Sequence, residues 1–373
     1  MKQAVISGTG LYTPSQSISN DELVESFNSY VNSYNEENKA EIEAGTLQAL
    51  PESSSAFIEK ASGIKSRFVM DKAGILDPKR MRPFLAERSN DEPSIQCEMA
   101  IVAAKEALAQ AGKTIEDVDA VIVACSNLQR AYPAVAVEVQ TALGINGFAY
   151  DMNVACSSAT FGIQAAVSAV QTGAASCVLM LNPEICSGHL NFRDRDSHFI
   201  FGDACTAVII ESEDTATSDH QFKVLGTKLQ TVFSNNIRNN AGFLNRCDES
   251  GLEKTDKLFI QNGRKVFKEV CPMVAKQITA HLGELDLSAE NLKRMWLHQA
   301  NLSMNQLISK RVLGRAAEID EAPVILDTYA NTSSAGSVIA YHLYKEDIKS
   351  GEIGVLCSFG AGYSIGSVVI QKV

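Results

Sequence analysis

The chain has 373 residues, 45% of them hydrophobic, with a formal net charge of −11. That length exceeds one comfortable core and implies two domains or two fused halves, while the acid excess argues against nucleic acid, whose binding rests on neutralising phosphates. No apolar run approaches the roughly 20 residues of a membrane span, residues 1–8 are too short an apolar stretch for a signal peptide, and nine cysteines without CxxC spacing or a Cys/His cluster point to free thiols in a reducing, cytoplasmic setting with no metal site.

In chain order, residues 2–10 predict an apolar strand ending in a glycine turn. A helix capped by Ser19 or Asn20 follows, with Asp21 and Glu22 in its first turn. Residues 28–55 are polar and acidic, and residues 71–93 carry Lys79, Arg80, Arg82 and Arg88 among prolines; both read as surface insertions. Residues 94–112 predict an alanine-rich helix closed by glycine, and 118–125 a strand apolar enough to be buried on both faces of a parallel sheet.

Residues 150–173 organise the rest. After Ala155-Cys156-Ser157-Ser158 comes a run whose apolar residues (Phe161, Ile163, Ala166, Val170) cover every face, as in a helix inside a large core. The free N–H groups and dipole of such a helix start favour a thiolate over a thiol, so Cys156 is expected to be a reactive nucleophile. The plainer alternative is one more small core residue.

The second half of the chain repeats the first. Gly8-Thr9-Gly10-Leu11-Tyr12-Thr13 shares Gly-Thr-x-Leu-x-Thr with residues 226–231, and Ser126-Asn127-Leu128 faces Ala300-Asn301-Leu302. Ala155-Cys156 faces Ala330-Asn331, and Phe201-Gly202 faces Phe359-Gly360. A duplicated α/β unit, with halves 1–212 and 213–373, accounts for this order. The helix after Cys156 is then central, its partner begins at Asn331, and the strand end at His298 points to the same region.

The set Ala155-Cys156-Ser157, His298-Gln299-Ala300-Asn301, Ala330-Asn331-Thr332-Ser333 and Phe359-Gly360-Ala361-Gly362 resembles the β-ketoacyl-acyl-carrier-protein synthase III family of the thiolase superfamily. The resemblance implies an α/β thiolase fold, with duplicated αβαβαββ-type halves in a layered αβαβα arrangement. It implies an acyltransferase of fatty acid biosynthesis, in which acyl-coenzyme A loads Cys156 and malonyl-acyl carrier protein then decarboxylates and condenses. By the same resemblance His298 and Asn331 donate hydrogen bonds to the enolate oxygen, the backbone N–H groups of Cys156 and Ala361 form the oxyanion hole, and no cofactor or metal is needed.

Further roles follow only from the resemblance. Phe57 stands for the family's tryptophan and, with Arg195, would hold the nucleotide of coenzyme A. Tyr132 would cross a homodimer interface into the neighbour's acyl tunnel, and Lys265, Lys268, Lys310 and Arg311 would dock the acidic carrier protein. The two insertions resemble those of a branch that takes medium-chain primers of octanoyl length. Three readings stay open beside this one: a head-to-head condensing enzyme using two acyl-coenzyme A molecules, a degradative thiolase with Cys357 as second cysteine, and a partner-binding scaffold in which Cys156 is inert.

Overall fold

The computed structural model describes residues 2–373. Nine strands form the main sheet: β1 (Ala4–Tyr12), β2 (Ala120–Ala124), β3 (Phe148–Met152), β4 (Cys177–Ile185), β5 (Asp203–Ser212), β6 (Phe222–Ser234), β7 (Leu292–Leu297), β8 (Ile353–Gly360) and β9 (Gly362–Lys372). Their order is β7-β8-β9-β6-β1-β5-β4-β2-β3. Parallel pairing is confined to the two ends, β7 with β8 and β4 with β2 with β3. The centre joins through only Val5↔Lys223 and Ile6↔Phe222, so the sheet is two blocks meeting at one seam rather than two separate sheets.

Seven helices matter for the site: α1 (Asn20–Glu37), α2 (Ser55–Ser62), α3 (Ile95–Ala111), α4 (Ser158–Thr172), α5 (Gly263–Glu284), α6 (Leu302–Leu313) and α7 (Ala335–Leu343). The apolar residues of α4 (Ile163, Ala166, Val170) and α7 (Val338, Ile339) share one buried cluster with Ile122 and Val208 of one block and Leu356 and Val368 of the other. Both helices therefore lie between the blocks. The alanine face of α3 packs on the outside of one block, α5 and α6 on the outside of the other, which completes the αβαβα layering. Strands buried on both faces need continuous apolar sequence, and Ala-Val-Ile-Val-Ala of β2 supplies it.

Ser19 caps α1 in a reciprocal box with Glu22, and α3 runs from the Ser94 cap to a left-handed Gly112. The stretch 28–55 is more regular than its composition predicts. α1 continues through Glu37 because Leu23, Phe27 and Val31 keep one buried face, and Asn28 and Asn35 then bind the backbone of Ser53 and Leu50. Among the described residues no helix is long and apolar enough to cross a membrane.

Candidate active site

Cys156 sits in a turn two residues ahead of α4, whose N-cap is Ser157. Ala155 has φ +47°, a left-handed conformation that costs an L-residue about 1 kcal/mol, so polar side chains hold the turn. Asn153 Oδ1 accepts the Ala155 N–H at 2.8 Å, and Ser158 Oγ accepts the Val154 N–H at 2.8 Å. The end of β8 closes against the sulfur: a Cβ on Gly360 would lie 2.6 Å from Cys156 Cβ, so only glycine admits the nucleophile there.

Asn331 follows a turn of the same form. Ala330 has φ +55°, matching Ala155, and Ser333 has φ +50°. The Asn331 backbone is clamped on both sides, its N–H donating to Ile200 O at 3.0 Å and its carbonyl accepting the Gly202 N–H at 3.1 Å. Asn331 Oδ1 accepts the Ser333 N–H at 2.8 Å. That bond fixes the amide orientation and leaves Nδ2 as a free donor.

His298 directly follows β7, its N–H bonded to Cys357 O of β8 at 2.8 Å. Its ring stands edge-on to Phe359, with centroids 5.2 Å apart. Nδ1 is enclosed and has no hydrogen-bond partner among the described residues, so Nε2 is the nitrogen that can serve the cavity. Burial pulls the imidazole down to about 4, against a smaller opposing pull from the Ser333 backbone. The ring is thus neutral well below its ordinary titration range. Activity that depends on His298 is expected to show no acid limb near pH 6.5; a limb there, absent in a His298 variant, would mean the ring titrates as an exposed histidine.

Burial works against the thiolate that the helix start favours. Burial pushes the Cys156 thiol up to about 11, the charge of Glu184 adds to this, and the Ser333 hydroxyl, 3.4 Å from Sγ, works the other way. The sulfur stands ahead of the helix in an enclosed, negatively biased site, so desolvation outweighs the helix start.

One cavity of about 650 Å³ is lined by Cys156, His298 and Asn331 together. Phe57, Phe199, Phe201, Phe259 and Phe267 make its walls largely aromatic, and the exposed Asp196 and Arg264 mark its mouth. Phe57 is thus part of the cavity wall. Arg195 does not line the cavity: its guanidinium lies 4.0 Å from the centre of the Phe57 ring and its Nε donates to Glu52 O at 2.6 Å, so the space between the two side chains is already filled.

Tyr132 is 85% exposed, away from this cavity. Lys265 and Lys268 on α5 and Lys310 and Arg311 on α6 are exposed on helices that pack together. Ala361 follows Gly360 in the β8–β9 turn, its carbonyl accepting from Ser364 Oγ. Cys357 is buried in β8 and does not reach the cavity. Sequence reasoning missed Arg264, Ser333 and Glu184. Only Glu184 carried a signal, as the lone acid in the apolar run of β4.

Two family models match the chain: 3-oxoacyl-[acyl-carrier-protein] synthase III over residues 150–232 and its C-terminal part over residues 282–372. A β-ketodecanoyl-[acyl-carrier-protein] synthase of Pseudomonas aeruginosa is 69% identical over 94% of this chain and 100% of its own. A β-ketoacyl-[acyl-carrier-protein] synthase III of Granulibacter bethesdensis is 28% identical over 100% of both. The crystal structure of 3-oxoacyl-[acyl-carrier-protein] synthase III from Aquifex aeolicus superposes with a TM-score of 0.76 over 99% of both chains at 24% identity. With that degree of identity over nearly all its length, the chain belongs to the 3-oxoacyl-[acyl-carrier-protein] synthase III family of condensing acyltransferases.

Proposed function

We propose that this enzyme joins a medium-chain acyl-coenzyme A, octanoyl by preference, to malonyl-acyl carrier protein, giving the 3-oxoacyl-carrier protein and carbon dioxide. The observation that carries the reading is the convergence of Cys156, His298 and Asn331 on one cavity, with the Asn331 amide turned so that its Nδ2 donor is free. In the first half-reaction Cys156 Sγ attacks the thioester carbonyl; the backbone N–H groups of Cys156 and Ala361 hold the oxyanion. Coenzyme A leaves as the thiol, carrying the proton that Cys156 gives up, so a neutral thiol suffices at the start and at the end.

In the second half-reaction malonyl-carrier protein enters the same cavity. Loss of carbon dioxide puts negative charge on its thioester oxygen, which the His298 Nε2–H and Asn331 Nδ2–H donors stabilise. The carbanion attacks the acyl-cysteine carbonyl, and the cysteine sulfur leaves as the thiolate, which takes one proton from water. Carbon dioxide provides the driving force, and the balance calls for no metal or cofactor. Lys265, Lys268, Lys310 and Arg311 supply the positive face for an acidic carrier, while Phe57 and Arg195 meet the nucleotide only after their own stack opens.

The division into halves 1–212 and 213–373 is supported by the matching left-handed alanines before Cys156 and Asn331. A homodimer is supported by β3, the edge strand, which carries the exposed, stacked Phe148 and Tyr150, and by Tyr132, free to reach a neighbour's tunnel. The unpaired cysteines suit a reducing cytoplasm. Light scattering is expected to give a dimer, and Phe148→Asp with Tyr150→Asp a monomer; a wild-type monomer would contradict the assembly.

The primer is tested by competing acyl-coenzymes A from acetyl to dodecanoyl for condensation. Octanoyl is expected to lead in kcat/KM, as the name of the Pseudomonas aeruginosa relative suggests; a lead by acetyl would overturn the medium-chain reading. Among the described residues lining the cavity the one acid is Asp196, at its exposed mouth, which favours malonyl-carrier protein over a second acyl-coenzyme A. Acyl-coenzyme A alone should stop at the acyl-enzyme.

A further inference from the structure

Glu184 stands near the end of β4, 1% exposed, without an ion-pair partner among the described residues and outside the cavity wall. Besides a long contact from the Cys186 thiol at 3.9 Å, its carboxylate collects four N–H and O–H donors from Ser126 and Ser334. On one side are the Ser126 N–H at 3.0 Å and hydroxyl at 2.6 Å; on the other are the Ser334 N–H at 3.2 Å and the Ser334 hydroxyl. Two oxygens that only accept can satisfy four such donors, and no neutral side chain of that size can.

Each serine leads to one reacting group. The Ser126 carbonyl accepts Asn153 Nδ2 at 2.8 Å, and Asn153 Oδ1 holds the Ala155 N–H of the nucleophile turn. Ser334 directly follows Ser333, whose N–H fixes Asn331 Oδ1 and whose hydroxyl meets Cys156 Sγ. Both turns contain left-handed non-glycine residues, which relax unless something holds them. We infer that Glu184 is a positioning residue of the condensation: one buried carboxylate ties the Cys156 turn to the Asn331 turn, so that sulfur and amide face the same ligand.

The inference rests on the reading of Cys156 and Asn331 as reacting groups. The groups that feel Glu184 are Cys156 in its turn, Cys125 after β2, Cys186 after β4, and Asp203 and Cys205 on β5; all are pushed up by it, after burial. Among the described residues no cation pairs with it. Removing the charge should therefore move the Cys156 titration toward lower pH, while removing the four-way acceptor should loosen both turns.

The test measures three quantities in Glu184→Gln: acyl loading of Cys156 by intact mass, carbon dioxide release from malonyl-carrier protein, and the pH profile of Cys156 alkylation by iodoacetamide. Both half-reactions are expected to fall about 10²-fold, the usual cost of an ångström-scale misplacement, and the alkylation midpoint to move to lower pH. Loosened packing would also hydrate Cys156 and lower its midpoint, so the shift alone does not separate the roles; the division of loading and decarboxylation between Ser126→Ala and Ser334→Ala does. If Glu184→Gln does not fold, Ser126→Ala and Ser334→Ala divide the question: the first should depress loading more, the second decarboxylation more. Wild-type rates with an unshifted midpoint in Glu184→Gln, or wild-type rates in both serine variants, overturn the inference. A Cys156→Ala enzyme that still becomes acylated would instead overturn the underlying reading, whatever Glu184 does.

Discussion

Asn331→Ala is expected to lower condensation by about 10²- to 10³-fold, the usual cost of one preorganised donor to a developing oxyanion, while Cys156 still takes up its acyl group at near the wild-type rate. The asymmetry follows from the geometry. The Asn331 backbone is held by Ile200 and Gly202 whatever the side chain, so the turn survives, and what is lost is the Nδ2 donor. If its neutral imidazole donates to the same oxygen as proposed, His298→Ala should behave alike. The double variant should cost less than the product of the two, since both donors act on one oxygen. The measurement is carbon dioxide release set beside acyl loading for each variant. Equal losses in both half-reactions would mean that the two side chains only shape the cavity.

Gly360→Ala carries the second large effect, and it reaches stability as well as rate. The new methyl would stand 2.6 Å from Cys156 Cβ and 3.2 Å from Sγ, a distance that real Cβ atoms do not keep. Either the nucleophile turn or the β8–β9 turn must move, at about 1–3 kcal/mol for overpacking a closed site. Acyl loading is expected to fall about 10²-fold through the displaced sulfur. Gly283→Ala in α5 is the control: its Cβ meets nothing within 4 Å, and helix propensity favours alanine there. Thermal unfolding and intact-mass loading of the two variants check this; a Gly360→Ala enzyme matching wild type in both would show that the approach is not tight.

The residues that meet at the cavity were legible in the sequence because Cys156 and Asn331 each follow an alanine in a matching short motif, and the structure gives Ala155 and Ala330 the same left-handed backbone. The ionisation state of the sulfur was not legible. A local reading sees a helix start but not the enclosure of Cys156, nor Glu184 arriving on a strand that follows α4. Phe57 and Arg195 were each noticed, yet their mutual stack depends on the Glu52 carbonyl, within a segment whose polarity reads as surface. The same polarity hid the second half of α1, where Val31 continues the buried face of Leu23 and Phe27 beneath asparagine, serine and glutamate. Single contacts of this kind between distant segments leave no periodicity to read.

The most direct measurement mixes the enzyme with octanoyl-coenzyme A, digests it and locates the adduct, then chases a second portion with malonyl-carrier protein. The octanoyl group should be found on the peptide containing Cys156, be absent from Cys156→Ala, and disappear in the chase as 3-oxodecanoyl-carrier protein and carbon dioxide form. An adduct on another residue, or one that persists in Cys156→Ala and is still chased into product, would contradict the account.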